Sequence, residues 1–154
     1  MIKASRLLSV KPDEVAAAVE KTLQTLVARD ERIAQMNQRY FEMKTAMLPA
    51  DQTILTLFEE GLTPFELKLF ATQVAESKKA QVTALLAPAA AADGTVVYNY
   101  VIAWDDARLR EASKTLNQRL NGRGGGKDMV QGSFKADRAE IETAIAEVFG
   151  AFIQ

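Results

Sequence analysis

Leu120-Asn121-Gly122-Arg123-Gly124-Gly125-Gly126-Lys127-Asp128-Met129-Val130-Gln131-Gly132-Ser133-Phe134 is the stretch from which the rest of this 154-residue chain is best read. Three consecutive glycines between Arg123 and Lys127 free the backbone to take positive φ and leave no Cβ to hold a partner away. Amide N–H groups exposed in this way, with a cation on either side, make a seat for an anion such as a phosphate. Immediately upstream, Leu109, Ala112, Leu116 and Leu120 recur at helical spacing. A helix therefore delivers the chain into the glycine run, with Asp105 or Asp106 as its cap and Gly122 as its stop. Downstream, Val130 to Phe134 returns as a short strand. Asp137-Arg138-Ala139-Glu140 is a capping pattern, and Ile141, Ala144, Ile145, Val148, Phe149 and Phe152 mark one face of a last helix.

Further upstream, Thr95 to Trp104 alternates Val96, Tyr98, Tyr100, Ile102 and Trp104 with Val97, Asn99, Val101 and Ala103. Both sets are mostly apolar, so the segment predicts a central strand covered by helices, and its aromatics predict core packing. Ala80 to Ala87 reads as its neighbour across the Asp93-Gly94 turn, and the biased segment Ala84 to Ala92 as a flexible connection. Ile54, Leu55, Leu57 and Phe58 suit a buried strand. Thr63-Pro64-Phe65-Glu66 opens a helix with a threonine N-cap, proline at the first position and glutamate three residues on. The expected class is α+β: a long N-terminal helical arm, then a small mixed sheet packed with about three helices.

The arm is residues 1–48, with the globular part at 49–154 and the boundary at Leu48-Pro49-Ala50-Asp51. Leu7, Leu8 and Val10 form a short apolar anchor, and Lys11-Pro12-Asp13-Glu14 reads as a helix start. Along the arm, Val15, Val19, Thr22, Leu26, Arg29, Ile33, Met36, Tyr40, Met43 and Met47 are spaced three and four apart, a seam of coiled-coil type. Such a helix needs a partner for its seam, either a second copy or the chain's own globular part.

Composition excludes much. There is no cysteine and no histidine, which removes disulfides, the usual zinc ligands and the imidazole base of common nucleophilic arrangements. No Asp/Glu cluster has metal-site spacing, so no metal, cofactor or catalytic residue is expected. The most apolar run, Ala80 to Ala92, is too short and alanine-rich to span a bilayer, and charges interrupt every apolar stretch before Pro12. These features fit a cytoplasmic protein without a membrane role. Net charge is −1, yet Asp106 to Arg138 carries eight cations against four carboxylates, leaving 11 cations and 16 carboxylates elsewhere. Positive charge is concentrated around the glycines, as a phosphate-binding face requires.

The glycine run as a whole resembles the signature of the C-terminal domain of alanyl-tRNA synthetases and their free-standing editing relatives, found also as the DHH-associated domain of some phosphodiesterases. Arg123, Gly124, Gly125, Gly126, Lys127, Asp128, Met129 and Gln131 stand where that pattern expects them. Leu7 to Glu14 and the charged helix after it are similar to the segment joining the editing domain to this one. The resemblance implies a non-catalytic domain that binds tRNA, alanine tRNA first of all, through Arg119, Arg123, Gly124, Gly125, Gly126, Lys127, Asp128, Gln131 and Gly132. It implies a homodimer through Val15, Val19, Leu26, Ile33, Met36, Tyr40 and Met43. The zinc-dependent editing module of the family cannot lie in this chain, so the parent aminoacyl-tRNA hydrolase is expected to carry it elsewhere. The alternative implied is the nucleotide or short-oligonucleotide binding half of a DHH-type phosphodiesterase. There the glycine run usually ends in histidine, where this chain has Lys127.

Overall fold

The computed structural model describes residues 14–153; the expected anchor Leu7, Leu8 and Val10, and the Lys11-Pro12-Asp13 helix start, lie outside them. Two compact units divide the chain, Met1–Tyr40 and Phe41–Gln154. In the first, helix α1 begins at Val15 and runs on into the second unit as far as Met47. Of its seam, Val19, Leu26, Ile33, Met36 and Met43 stand between 41% and 60% exposed, whereas Val15 is buried and Tyr40 half-buried.

The second unit is built on β3 (Val96–Trp104), the middle strand of a five-stranded mixed sheet of order β1-β2-β3-β5-β4. β1 (Gln52–Phe58) pairs parallel with β2 (Ala80–Ala90), and every other pairing is antiparallel. Helix α2 (Pro64–Ser77) makes the β1-to-β2 crossover and buries Leu67, Phe70, Ala71 and Val74. α3 (Leu109–Arg119) and α4 (Arg138–Ile153) bury the opposite set. Their Leu109, Ala112, Leu116, Ile141, Ala144, Ile145 and Phe149 pack with Val82, Leu86, Tyr100, Ile102 and Trp104 of the strands. Period-2 alternation in β3 thus feeds two apolar layers, as a strand covered on both faces requires.

Local chemistry fixes the elements. The capping box opens α2: Thr63 Oγ1 accepts from Glu66 N–H at 3.2 Å, and Glu66 Oε1 accepts from Thr63 N–H at 3.1 Å. Asp137 caps α4 by accepting from Glu140 N–H at 2.8 Å. Within the second unit, the end of α1 is fastened by Phe41 stacking on Phe70 at 4.6 Å. Lys79 Nζ adds three bonds there, to the carbonyls of Thr45, Ala46 and Leu48 at 2.8, 3.0 and 2.9 Å. A cation on the last carbonyls of a helix satisfies groups that have no intrahelical partner.

Three expectations are corrected. The alanine-rich segment is not a loose connection: Ala87 to Ala90 continue β2 and pair with Asn99 to Val96 of β3. β1 stops accompanying β2 after Leu86, so Pro88 sits where β2 is an edge, and proline is tolerated there. Second, neither Asp105 nor Asp106 caps α3, whose N-cap is Arg108 without a side-chain bond. Asp106 instead accepts from Arg108 N–H, Nε and Nη2 at 2.8, 2.9 and 2.7 Å. Those bonds hold its carboxyl down at about 2. Arg108 Nη1 donates to the Phe152 carbonyl at 2.9 Å and its guanidinium lies 5.2 Å from the Trp104 ring centroid, tying the start of α3 to the end of α4. Third, the left-handed residue ending α3 is Asn121, at φ 50°, not Gly122.

Candidate functional site

The end of α3 sets the site. Gly122 N–H reaches back to the Asn117 carbonyl at 2.8 Å and Leu120 N–H to Leu116 at 2.9 Å. The first of these is the closing bond of a Schellman motif, and it turns the chain sharply back along its own helix. A Cβ on Gly122 would lie 2.6 Å from Phe134 Cδ1 and 2.8 Å from the Ser133 carbonyl, so only glycine passes there. The glycine run then forms an edge strand, β4 (Arg123–Gly125), against β5 (Met129–Phe134). Arg123 faces Ser133, Gly124 faces Gly132 and Gly125 faces Gln131.

The three glycines do different work. A Cβ on Gly124 would overlap the Gln131 carbonyl and come within 2.5 Å of Tyr100 Oη; one on Gly126 would overlap the Met129 carbonyl. Gly132 would strike the Arg123 carbonyl in the same way. These three are glycine because the hairpin folds so tightly. Gly125 meets nothing within 4 Å, so packing does not demand it.

Between this hairpin and α3 lies a cleft of about 1060 Å³. Arg110, Lys114, Asn117 and Gln118 share one face of α3 and line one side with the buried Ser113 at its base, while Leu109, Ala112 and Leu116 on the other side of the helix are buried in the core. Arg123, Gly124, Gly125, Gly126 and Lys127 line the opposite wall, with Lys135 beyond β5. Five cations thus converge, and among the described residues no carboxylate lines the cleft. Cations gathered without counter-charges raise the local potential and attract an anion, the more so in a concave site. A second cleft of about 1210 Å³ shares Arg110 and Lys127 with the first but contains Asp51, Asp105, Asp106 and Asp128.

Of the sequence-derived site residues, Arg123, Gly124, Gly125, Gly126 and Lys127 come together in the cationic cleft. Asp128 lines the neighbouring one. Gln131 is exposed on β5 and Gly132 half-buried beside Gly124, and neither lines the cationic cleft. Arg119 is paired with Glu147 of α4 at 2.5 Å, away from the cleft lining. Arg110, Lys114, Asn117 and Lys135 were not among them. The signal for the first three was their i, i+4, i+7 spacing, which puts them on one helix face leading to the glycines. Among the described residues no group of three or more His, Cys, Asp or Glu side chains could hold a metal ion, and no helix is long and apolar enough to cross a membrane.

No protein-family model matches the sequence, and no curated protein matches it. Solved structures do. The C-Ala domain of Aquifex aeolicus alanyl-tRNA synthetase is 25% identical with a TM-score of 0.51, the match covering 66% of this chain and 95% of that one. Exonuclease RecJ bound to manganese is 16% identical with a TM-score of 0.63, over 90% of this chain and 33% of that one. RecJ from Thermus thermophilus in complex with Mg2+ is 17% identical with a TM-score of 0.58, over 92% and 20%. At these identities the likeness to RecJ concerns the fold alone, and this chain spans a third or less of either RecJ chain. The chain resembles, in sequence motif and in fold, a DHH-associated C-terminal domain of the kind found in alanyl-tRNA synthetase.

Proposed function

We propose that this chain is a non-catalytic nucleic-acid-binding domain, and that its ligand is tRNA, held for an alanyl-tRNA synthetase-related editing protein whose hydrolytic module lies outside this chain. The observation that carries the reading is the cleft itself, with Arg110, Lys114, Arg123, Lys127 and Lys135 in its walls and no carboxylate among its described lining residues. Likeness to the C-Ala domain over 95% of that domain supports it. Arg123 and Lys127 contact phosphates, Gly125 lets a sugar-phosphate backbone approach the strand, and Asp128 and Gln131 at the margin reach sugar or base edges. Gly124, Gly126 and Gly132 hold the hairpin in shape, and Arg119 orients α3 through Glu147. Binding of this kind rests on counterion release and weakens steeply with salt. The α1 stripe of Val15, Val19, Leu26, Ile33, Met36, Tyr40 and Met43 makes the domain a homodimer.

A second reading is supported by one specific observation, the RecJ fold followed over 90% of the chain. In that reading the same cleft grips a nucleotide or a short oligonucleotide. Titration of the whole chain with deacylated alanine tRNA and with a short single-stranded oligonucleotide, each at two salt concentrations, separates the two. Salt-sensitive binding that prefers tRNA by about tenfold or more is expected. Equal affinity for the oligonucleotide selects the second reading, and no binding to either removes both.

A further inference from the structure

We infer that Asn117 contacts the bound nucleic acid directly, as a neutral N–H donor to a phosphate oxygen, and that the buried hydroxyl of Tyr100 aims it. The inference rests on the cleft being a nucleic-acid seat and names the contact that its cations do not supply. Tyr100 lies in the middle of β3, only 1% exposed, with its ring stacked on Phe134 at 4.0 Å. A phenol so buried needs a partner for its hydroxyl, and Oη lies 3.1 Å from Asn117 Oδ1. On the other side of the same amide, Nδ2 lies 3.4 Å from the Gly124 carbonyl.

Elementary donor and acceptor rules make this chain of bonds run one way. A backbone carbonyl only accepts, so the nitrogen of the amide must face Gly124. The oxygen then faces Tyr100, and the phenol must donate. Reversing the amide would set two oxygens against each other at Gly124 and lose the bond to its carbonyl. The Gly124 carbonyl therefore sets the flip of Asn117, and Tyr100, donating from inside the core, holds the amide oxygen so placed.

A primary amide has two N–H groups. Gly124 takes one, and among the described residues no second protein acceptor is bonded to the Asn117 amide. The side chain is half-buried and lines the cleft between the α3 cations and the glycine strand. Arginines and lysines there supply long-range attraction from flexible stems, whereas Asn117 is short and held at both ends. It offers direction where they offer charge.

Asn117→Ala, Asn117→Asp and Tyr100→Phe, each checked for an unchanged melting temperature, are titrated with deacylated alanine tRNA across a salt series. Asn117→Ala weakens binding about tenfold, as removal of one hydrogen bond to a charged group does, while the salt slope stays that of the wild type because no charge has gone. Tyr100→Phe leaves the amide present but removes the donor that holds its oxygen, and weakens binding about threefold at the same slope. Asn117→Asp, nearly isosteric and unable to donate when ionised, weakens it most. Wild-type affinity in folded Asn117→Ala, or weaker binding in it accompanied by a shallower slope, overturns the inference. Should the wild-type chain itself not bind tRNA, the nucleic-acid reading falls, and inorganic tripolyphosphate becomes the probe. Weaker tripolyphosphate binding by Asn117→Ala than by wild type sustains the contact, and equal or absent binding ends it.

Discussion

At the scale of single residues, the glycine run separates what the fold needs from what a ligand needs. Gly124, Gly126 and Gly132 leave no room for a Cβ, because each would drive it into a carbonyl of the facing strand. Gly126→Ala should therefore cost about 1–3 kcal/mol, as overpacking against backbone does, and lower the melting temperature. Gly125→Ala adds a methyl in open space, and should leave stability within about 0.5 kcal/mol of wild type. The same Gly125→Ala is predicted to weaken tRNA binding, because the methyl can only collide with something the ligand brings. Thermal unfolding and titration of the two variants check both halves; a Gly125→Ala protein that binds as well as wild type would remove close backbone approach at that position.

Residue-level legibility follows from how local each effect is. The Thr63-Glu66 capping box spans four residues and its partners are fixed by helix geometry, so it could be read directly. Asn121 taking the left-handed position ahead of Gly122 could not, because Asn121 already closes the helix and Gly122 is reserved for the passage beside Phe134. Arg119 sits in a cationic run, and only the packing of α4 brings Glu147 to it.

At the scale of elements, the end of α1 illustrates how a junction is secured. Lys79 Nζ bonds three carbonyls of its last turn and the residue after it, while Lys44 pairs with Glu59 at 3.3 Å. Lys79→Met keeps most of the stem and removes the donors. It should cost roughly 1–2 kcal/mol, the size of charge-assisted bonds that are partly open to water. For a chain of this length that is a drop of about 2–4 °C per kcal/mol, measurable by calorimetry. An unchanged melting temperature would mean that water replaces Lys79 without penalty.

Helices announced themselves through long apolar periods, and α2 and α4 begin one residue after their expected caps Thr63 and Asp137, whereas α3 begins at Leu109, three residues past Asp106. The strands were less legible. β4 is three residues, two of them glycine, and has no side-chain period to detect. The second half of β2 is alanine and proline, residues of low strand preference, and pairing with β3 decides it. The cleft was half legible: its glycines and flanking cations lie together in sequence, whereas Arg110, Lys114, Asn117 and Lys135 reach it only because the Schellman turn folds the hairpin back along α3.

At the scale of the whole molecule, the proposed function rests on two surfaces. One is α1, a 33-residue helix whose Val19, Leu26, Ile33, Met36 and Met43 are exposed at seam spacing. Its five cations and four carboxylates are interspersed, so two copies need not repel. Light scattering should give a dimer for the wild-type chain and a monomer for Leu26→Glu with Ile33→Glu, since the pair removes two apolar contacts from a seam that already carries Arg29 and adds carboxylates in their place. A wild-type monomer at working concentration contradicts the assembly role and leaves the cleft untouched.

The other surface is the cationic cleft, and the proposed function stands or falls on its charge holding tRNA phosphates. Salt dependence of tRNA binding, compared between the wild-type chain and folded Arg123→Ala with Lys127→Ala, decides the matter. Lower affinity is expected for the double variant, with a log–log salt slope shallower by about two, one for each phosphate that no longer has a cation against it. The same affinity and the same slope in the double variant would contradict it.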